Sequence, residues 1–118
     1  MPTANSRSIS KKIIALVLVS FSAVMFEAQA QVTIRGSASC GQWISDGRQN
    51  SERALLSERW LVGFLSGMAF HSGKDFIKGT DNPSIFLWVS NYCQANPLKE
   101  IVDAGNALFN ELVKQKRL

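Results

Sequence analysis

The chain has 118 residues, with 13 Lys and Arg against nine Asp and Glu, and a formal net charge of +4. This length is enough for one small domain, which excludes a multidomain architecture. The charges are interspersed, and basic residues do not alternate with aromatic ones, so we expect no nucleic-acid partner.

Residues 1–30 have the three parts of a secretory signal peptide. Three basic residues, Arg7, Lys11 and Lys12, precede an apolar run over residues 13–26, and Ala28-Gln29-Ala30 forms a small-residue cleavage site. The apolar run is about 14 residues long, shorter than the roughly 20 that a membrane-spanning helix needs. We therefore expect cleavage of residues 1–30, export to the periplasm and no membrane span afterwards. Retention of this segment as an anchor is the alternative.

Cleavage would leave residues 31–118 as a single domain, with ten Lys and Arg against eight Asp and Glu. Both cysteines, Cys40 and Cys93, lie in this part, and an even cysteine count in an oxidising compartment favours one disulfide. Closing a loop of that length is worth about 4 kcal/mol in the chain-entropy model. The sequence has no C-x-x-C, and His71 is its one histidine, so we expect neither a metal nor a cofactor.

The exported part begins with an extended arm and a short helix. Residues 31–39 contain β-branched and small residues, and indicate an arm that lies along a helix pair. Residues 40–44 predict a short helix that buries its tryptophan and isoleucine. The turn-forming residues 46–51 then connect it to the next helix.

The longest predicted helix starts at Ser51 or Glu52 and ends near Ser72, with Gly73 as a left-handed stop. Its large apolar side chains form two neighbouring stripes, which predicts burial on most of its circumference. Gly63 and Gly67 lie four residues apart, and glycine costs about 1 kcal/mol relative to alanine inside a helix. We therefore expect another backbone to approach closely there, and a homodimer through this face is an open alternative.

Two further helices follow an exposed loop over residues 74–81. Asn82 followed by proline predicts the start of a helix that runs over residues 84–94 and is also buried on most sides. Asn96 followed by proline repeats this signal and predicts a last helix over residues 98–116. The core stripe of that last helix is Leu98, Ile101, Val102, Gly105, Leu108 and Leu112. The sequence thus predicts an all-α domain of three main helices and one short helix, stapled by one disulfide.

The sequence lacks the residue patterns that a catalytic, phosphate-binding or metal-binding site requires. A lone His71 at a helix end is usually explained by the helix dipole, and no nucleophile lies in a recognisable context. Residues 67–74 contain glycines before a lysine, but they lack the spacing and the Ser or Thr of a phosphate-binding loop. No calcium-loop pattern is present. We expect the protein not to be an enzyme, with no catalytic, cofactor-binding or metal-binding residues.

Aromatic residues are the remaining candidates for a functional surface. Most of them should fill the core, and some can instead line an apolar groove for a partner. The residues at and around the exposed loop are the candidates for such contacts: Phe70, Lys74, Phe76, Asp81 and Phe86.

Three motifs together resemble a group of small exported bacterial proteins of largely unknown function. The motifs are Cys40-Gly41-x-Trp43, residues 60–67 (W-L-V-G-F-L-S-G) and residues 88–98 (W-V-S-N-Y-C-Q-A-N-P-L). The size, the helices and the cysteine separation are similar to those of the HdeA/HdeB periplasmic acid-stress chaperones. Residues 89–112 resemble the Tai-type immunity proteins, which neutralise secreted cell-wall amidases. These resemblances imply a non-enzymatic protein.

Two functions follow as hypotheses. The first is a periplasmic protein-binding module, either chaperone-like or an accessory of an envelope machine, whose partner is another protein of the cell envelope. The second is an inhibitor or immunity protein that binds one specific exported enzyme. The second hypothesis predicts a rigid exposed loop over residues 74–81.

Overall fold

Four helices form the part of the chain that the structure, a computed structural model, describes, which is residues 31–118. They are α1 (Cys40–Arg48), α2 (Glu52–Ser72), α3 (Asn82–Ala95) and α4 (Ile101–Lys116), and this range contains no strand. The predicted all-α fold of three long helices and one short helix is confirmed. The predicted signal peptide, residues 1–30, lies outside the described residues. Within residues 31–118, no helix has the length and apolar character required to cross a membrane.

Helix α1 is the short helix predicted from the sequence, and it continues to Arg48. Its N-cap is Ser39, whose hydroxyl oxygen accepts a hydrogen bond from the Gln42 N–H (3.1 Å). Cys40 and Trp43 are buried, and the Trp43 indole N–H donates to the Ser90 hydroxyl on α3 (2.9 Å). This bond satisfies the one polar atom of a buried tryptophan.

Helix α2 has the predicted bounds, but it is not buried on most sides. Ser51 caps its start, and Gly73 ends it with φ +66°. Only Leu61 and Leu65 are fully buried, because α2 packs against α1 and α4 along one face. The opposite face is exposed, so the predicted burial is wrong for half of the circumference.

The glycines of α2 do not make the predicted close contact inside the domain. No atom lies within 4 Å of the position that a Cβ would take at Gly63 or Gly67. The tightly packed glycine is Gly105 on α4, where a Cβ would lie 2.9 Å from the ring of Phe64. The homodimer through Gly63 and Gly67 stays a prediction, and sedimentation velocity of the exported chain tests it.

Helix α3 starts at Asn82, two residues before the predicted range of 84–94. Its N-cap is Asp81, whose carboxylate accepts a hydrogen bond from the Ser84 N–H (2.7 Å), and Asn82 is already helical. Ile85 and Val89 face the core, whereas Leu87 is 64% exposed. Like α2, this helix is buried on one side only.

Helix α4 begins at Ile101, so the predicted start at Leu98 is wrong. Asn96 ends α3 instead of capping α4, and Leu98 is 99% exposed. At the true start, the Glu100 N–H donates to the Asp103 carboxylate (3.0 Å). Four members of the predicted core stripe are buried: Ile101, Gly105, Leu108 and Leu112.

The N-terminal arm explains where α4 starts. Ser39 pairs with Glu100 in an isolated antiparallel bridge. The Cys40 N–H donates to the Lys99 carbonyl (2.8 Å), and the Ile101 N–H donates to the Ala38 carbonyl (3.0 Å). Residues 97 and 98 form a turn, and Glu100 pairs with the arm, so the helix begins only at Ile101.

The predicted disulfide joins Cys40 at the start of α1 to Cys93 near the end of α3, with 4.8 Å between the two Cα atoms. Both cysteines are fully buried, and they belong to one hydrophobic core that all four helices share. The remaining fully buried residues of this core are Leu61, Leu65, Phe76, Val89, Ile101 and Ala104.

Candidate functional site

Phe76 is part of the core, so its predicted role in partner binding is wrong. It has no exposed surface, and its ring packs edge-on against that of Phe109, with 4.9 Å between centroids. The loop after α2 turns inward at this residue and brings the ring under α4. Sequence alone could not distinguish this anchor from an exposed aromatic, because apart from Ile77 the loop consists of polar residues and glycine.

The loop that carries Phe76 is held by Lys116. The Lys116 ammonium donates to the carbonyls of Phe76 (2.6 Å) and Lys78 (2.7 Å) and to the Thr80 hydroxyl (3.3 Å). Lys74 donates to the carbonyl of Leu118 (3.1 Å). Two lysines therefore join the loop to the end of α4, and the predicted contact residue Lys74 has a structural bond.

Asp81, another predicted contact residue, ends this loop as the N-cap of α3. The hydrogen bond from the Ser84 backbone N–H, together with that from its side chain, holds the pKa of the exposed Asp81 carboxyl below its usual value. The side chain thus has a local structural role, and its charge complements the positive end of the helix dipole.

Phe70 is 92% exposed near the end of α2, on the face that carries Gly63 and Gly67. It is available for contact, and its role in partner binding stays a prediction. The part of the chain that the structure describes forms no enclosed surface around it.

Phe86 differs from the other candidates because it lines a depression in the surface. Helices α2 and α3 each pack against α1 and α4, but scarcely against each other. Two adjoining cavities, of about 280 and 300 Å³, lie along the resulting gap and share Glu58 and Phe86. We call this gap the α2–α3 groove. Its lining consists of Trp43, Ile44, Gly47, Arg48, Ala54, Leu55, Glu58, Arg59, Val62, Asn82, Phe86, Ser90 and Gln94.

The floor of the α2–α3 groove is apolar and fixed. The rings of Trp43 and Phe86 meet edge to face, with 6.1 Å between centroids, and the bond to Ser90 holds the indole in place. Leu55, 47% exposed, stands at the open end of the groove on α2. Apolar side chains on fixed helices form a preorganised surface, which lowers the entropy that a partner loses on binding.

Glu58 lies at the centre of the α2–α3 groove and lines both cavities. The residue is half-buried, and its carboxylate makes no hydrogen bond or ion pair with any other residue in the range 31–118. Arg48 lines one cavity and Arg59 the other, each at the exposed rim. The groove therefore presents a negative charge on an apolar floor between two positive charges.

Sequence reasoning found Phe86 but missed the rest of the α2–α3 groove. Leu55 and Val62 are seven residues apart, and with Glu58 between them they share one side of α2. That periodicity is visible in the sequence, but it does not show whether this side of the helix is covered by another element. The separation of α2 and α3 depends on long-range packing and has no local signal.

The remaining titratable side chains in residues 31–118 do not form a cluster that could act as a catalytic or metal site. His71 is exposed at the end of α2, and no group of three or more His, Cys, Asp and Glu in this range is placed to hold a metal ion. One carboxylate oxygen of the buried Asp46 on α1 has no hydrogen-bond partner there.

The fold and the groove define a small disulfide-bonded all-α domain with an open apolar groove between α2 and α3. No protein-family model, no curated protein and no solved structure matches this chain.

Proposed function

We propose that this protein is a small, non-enzymatic protein-binding module of the periplasm, exported through residues 1–30. The observation that carries the proposal is the α2–α3 groove, with Trp43 and Phe86 on its floor and Leu55 at its edge. Its role would be chaperone-like or that of an accessory to an envelope machine, as the HdeA/HdeB resemblance implies.

The energetics of the α2–α3 groove are suited to a reversible partner. Covering apolar surface contributes about 25 cal/mol per Å², and one well-buried leucine or phenylalanine side chain contributes about 1.5–3 kcal/mol. A partner that seats two or three such side chains gains this burial energy and loses translational and rotational freedom on association, which is consistent with reversible binding. The groove is open along its length, which favours a polypeptide segment over an enclosed small ligand.

The disulfide supports an exported location. Cys40 and Cys93 are bonded and fully buried, and such bonds persist in oxidising compartments. The bond also holds α1 against α3, and these helices carry Trp43 and Phe86 of the α2–α3 groove.

The loop over residues 74–81 favours the second candidate function, an inhibitor or immunity protein for one exported enzyme. An inhibitor needs a loop that is rigid before it binds, since ordering it afterwards would weaken the complex. The three hydrogen bonds from Lys116 supply that rigidity.

Affinity capture from native periplasm tests the proposal, using the tagged exported chain and a groove variant, Leu55→Glu. Wild type should retain protein that Leu55→Glu loses, because a carboxylate at the groove edge would be buried by the partner. The matched control is Leu98→Glu, which changes a fully exposed leucine outside the groove. Equal capture by all three would reject the groove as the binding surface.

The captured proteins also separate the two candidate functions. Many partners that appear only after acid shock would support a chaperone, and suppression of aggregation at low pH would confirm that version directly. One partner in near-equal amount would support an accessory or an inhibitor. An inhibitor should then lose affinity when exposed loop residues such as Lys78 are changed, and Leu55→Glu should have no effect on it.

A further inference from the structure

We propose that the α2–α3 groove selects a polypeptide segment that presents one Lys or Arg side chain between apolar ones, and that Glu58 receives this cation. The inference rests on the proposed function, in which the groove is the binding surface, and it specifies the chemistry of the partner.

The first observation is that the Glu58 carboxylate has no partner. Glu58 is a half-buried residue that lines both cavities, and its solvent-accessible carboxylate lacks a hydrogen-bond or ion-pair partner within residues 31–118. Removing a carboxylate from water is unfavourable unless a cation or hydrogen-bond donor replaces the water. A further apolar surface that covers the groove would desolvate Glu58 completely, so a partner must bring its own donor.

The aromatic floor beside Glu58 is the second observation. Lys and Arg side chains have long apolar stems that pack on apolar surface, and their charged ends are attracted to aromatic faces. Trp43 and Phe86 line the same cavity as Glu58. One side chain can therefore place its stem over these rings and its charge against the carboxylate.

The charges on the rim restrict the partner further. Arg48 and Arg59 lie in opposite cavities, on either side of Glu58. Each would repel a basic residue that entered beside it, and each would attract a carboxylate. The complementary segment thus carries its single basic side chain at the centre and neutral or acidic residues to either side.

The extent of the apolar lining favours a polypeptide over a small polyamine. Ile44 lies in one cavity, and Leu55 and Val62 lie in the other. A small cation at Glu58 would leave both sides uncovered, whereas a segment with apolar residues flanking its cation covers all three positions.

Calorimetric titration of the exported chain with three synthetic peptides tests the inference. The first is an amphipathic helical peptide with one central Lys between leucines on the same face, and the other two carry Gln or Glu in place of Lys. We expect the Lys peptide to bind at least about tenfold more tightly than the Gln peptide, since a charge-assisted hydrogen bond in a half-buried site is worth about 1.5–3 kcal/mol. Glu58→Gln should remove this preference, so that the Lys and Gln peptides bind the variant with equal affinity.

The matched control is Glu111→Gln, which alters an exposed carboxylate on α4 and should keep the full preference for Lys. Circular dichroism melting of both variants shows that each is folded. Equal affinity for the Lys and Gln peptides, or no binding of the Lys peptide, would overturn the inference. The inference would also be overturned if spermidine bound tightly to wild type and not to Glu58→Gln, while the Lys peptide did not bind at all.

The proposed function is judged separately. If periplasmic capture depends on Leu55 while no preference for Lys is found, the α2–α3 groove binds protein by other chemistry and only the role of Glu58 is wrong.

Discussion

Phe70 and Phe76 lie six residues apart, and their surroundings are opposite. Phe70 is 92% exposed, whereas Phe76 has no exposed surface and packs on Phe109. We expect Phe76→Ala to lower the free energy of unfolding by about 3–5 kcal/mol, because it leaves a cavity in the core. Phe70→Ala should change it by no more than about 0.5 kcal/mol. Urea unfolding followed by tryptophan fluorescence measures both, and a similar loss in both variants would contradict this assignment.

The Asp81 carboxylate makes stability depend on pH. Because the hydrogen bond from the Ser84 N–H lowers its folded-state pKa below 3.8, the ionised form stabilises the folded state. This contribution is complete above the pKa of the unfolded chain, and it is lost as the pH falls through the lowered folded-state pKa. Asp81→Asn keeps a capping side chain without the charge.

Wild type should therefore exceed Asp81→Asn in stability at pH 6, and the difference should vanish as the pH is lowered from about 4 towards 2. Thermal unfolding at a series of pH values measures this difference. Asp75→Asn is the control, since the Asp75 side chain accepts no hydrogen bond from residues 31–118. A constant difference between wild type and Asp81→Asn would argue against a role for the charge.

At the scale of the helices, α2 and α4 meet closely at Gly105. A Cβ at this position would lie 2.9 Å from the Phe64 ring and 3.6 Å from the Leu61 side chain. Gly105→Ala should therefore destabilise the domain, because overpacking costs about 1–3 kcal/mol and outweighs a gain in helix propensity of about 1 kcal/mol. Gly67→Ala adds the same methyl group to an open helix face and should stabilise by about 0.5–1 kcal/mol. Opposite shifts in Tm are expected, and a stabilising Gly105→Ala would show that Phe64 moves freely.

Lys116 connects α4 to the loop between α2 and α3. Lys116→Met removes the three hydrogen bonds to this loop while keeping an apolar stem of similar length. We expect amide exchange of residues 76–80 to accelerate at least about fivefold, equivalent to the loss of about 1 kcal/mol of local stability. Lys114→Met, two residues earlier on the same helix, should leave the loop unchanged. Equal exchange in both variants would mean that Phe76 alone holds the loop.

The helix boundaries show which elements the sequence can predict. The bounds of α2 follow from local signals, a serine cap at Ser51 and a left-handed glycine at Gly73. Asn96 and Pro97 look like an equally good helix start, but residues 97 and 98 form a turn instead. The hydrogen bonds of the arm with residues 99 and 101 then place the helix start at Ile101. Periodicity likewise identified the apolar residues of α2 and α3, but not which of their sides would be covered. For the same reason the α2–α3 groove could not be predicted.

On the scale of the whole molecule, the disulfide makes a large contribution to stability that can be tested. The bond between Cys40 and Cys93 closes a loop of 53 residues, which corresponds to about 4 kcal/mol of stabilisation in the chain-entropy model. Small domains are stable by only about 5–15 kcal/mol. A Cys40→Ala and Cys93→Ala double variant should therefore unfold at a much lower urea concentration than the oxidised protein, and an unchanged midpoint would contradict this role.

The same covalent bond determines how the domain carries mechanical tension. The chain from Cys40 to Cys93 contains every residue that lines the α2–α3 groove except Gln94. A pull on Thr33 and Leu118 passes along the arm, crosses directly from Cys40 to Cys93 and continues into α4. The backbone of the groove lies outside this line of force. A partner seated in the α2–α3 groove would thus be attached to a segment that cannot be extended, even while the rest of the chain is stretched.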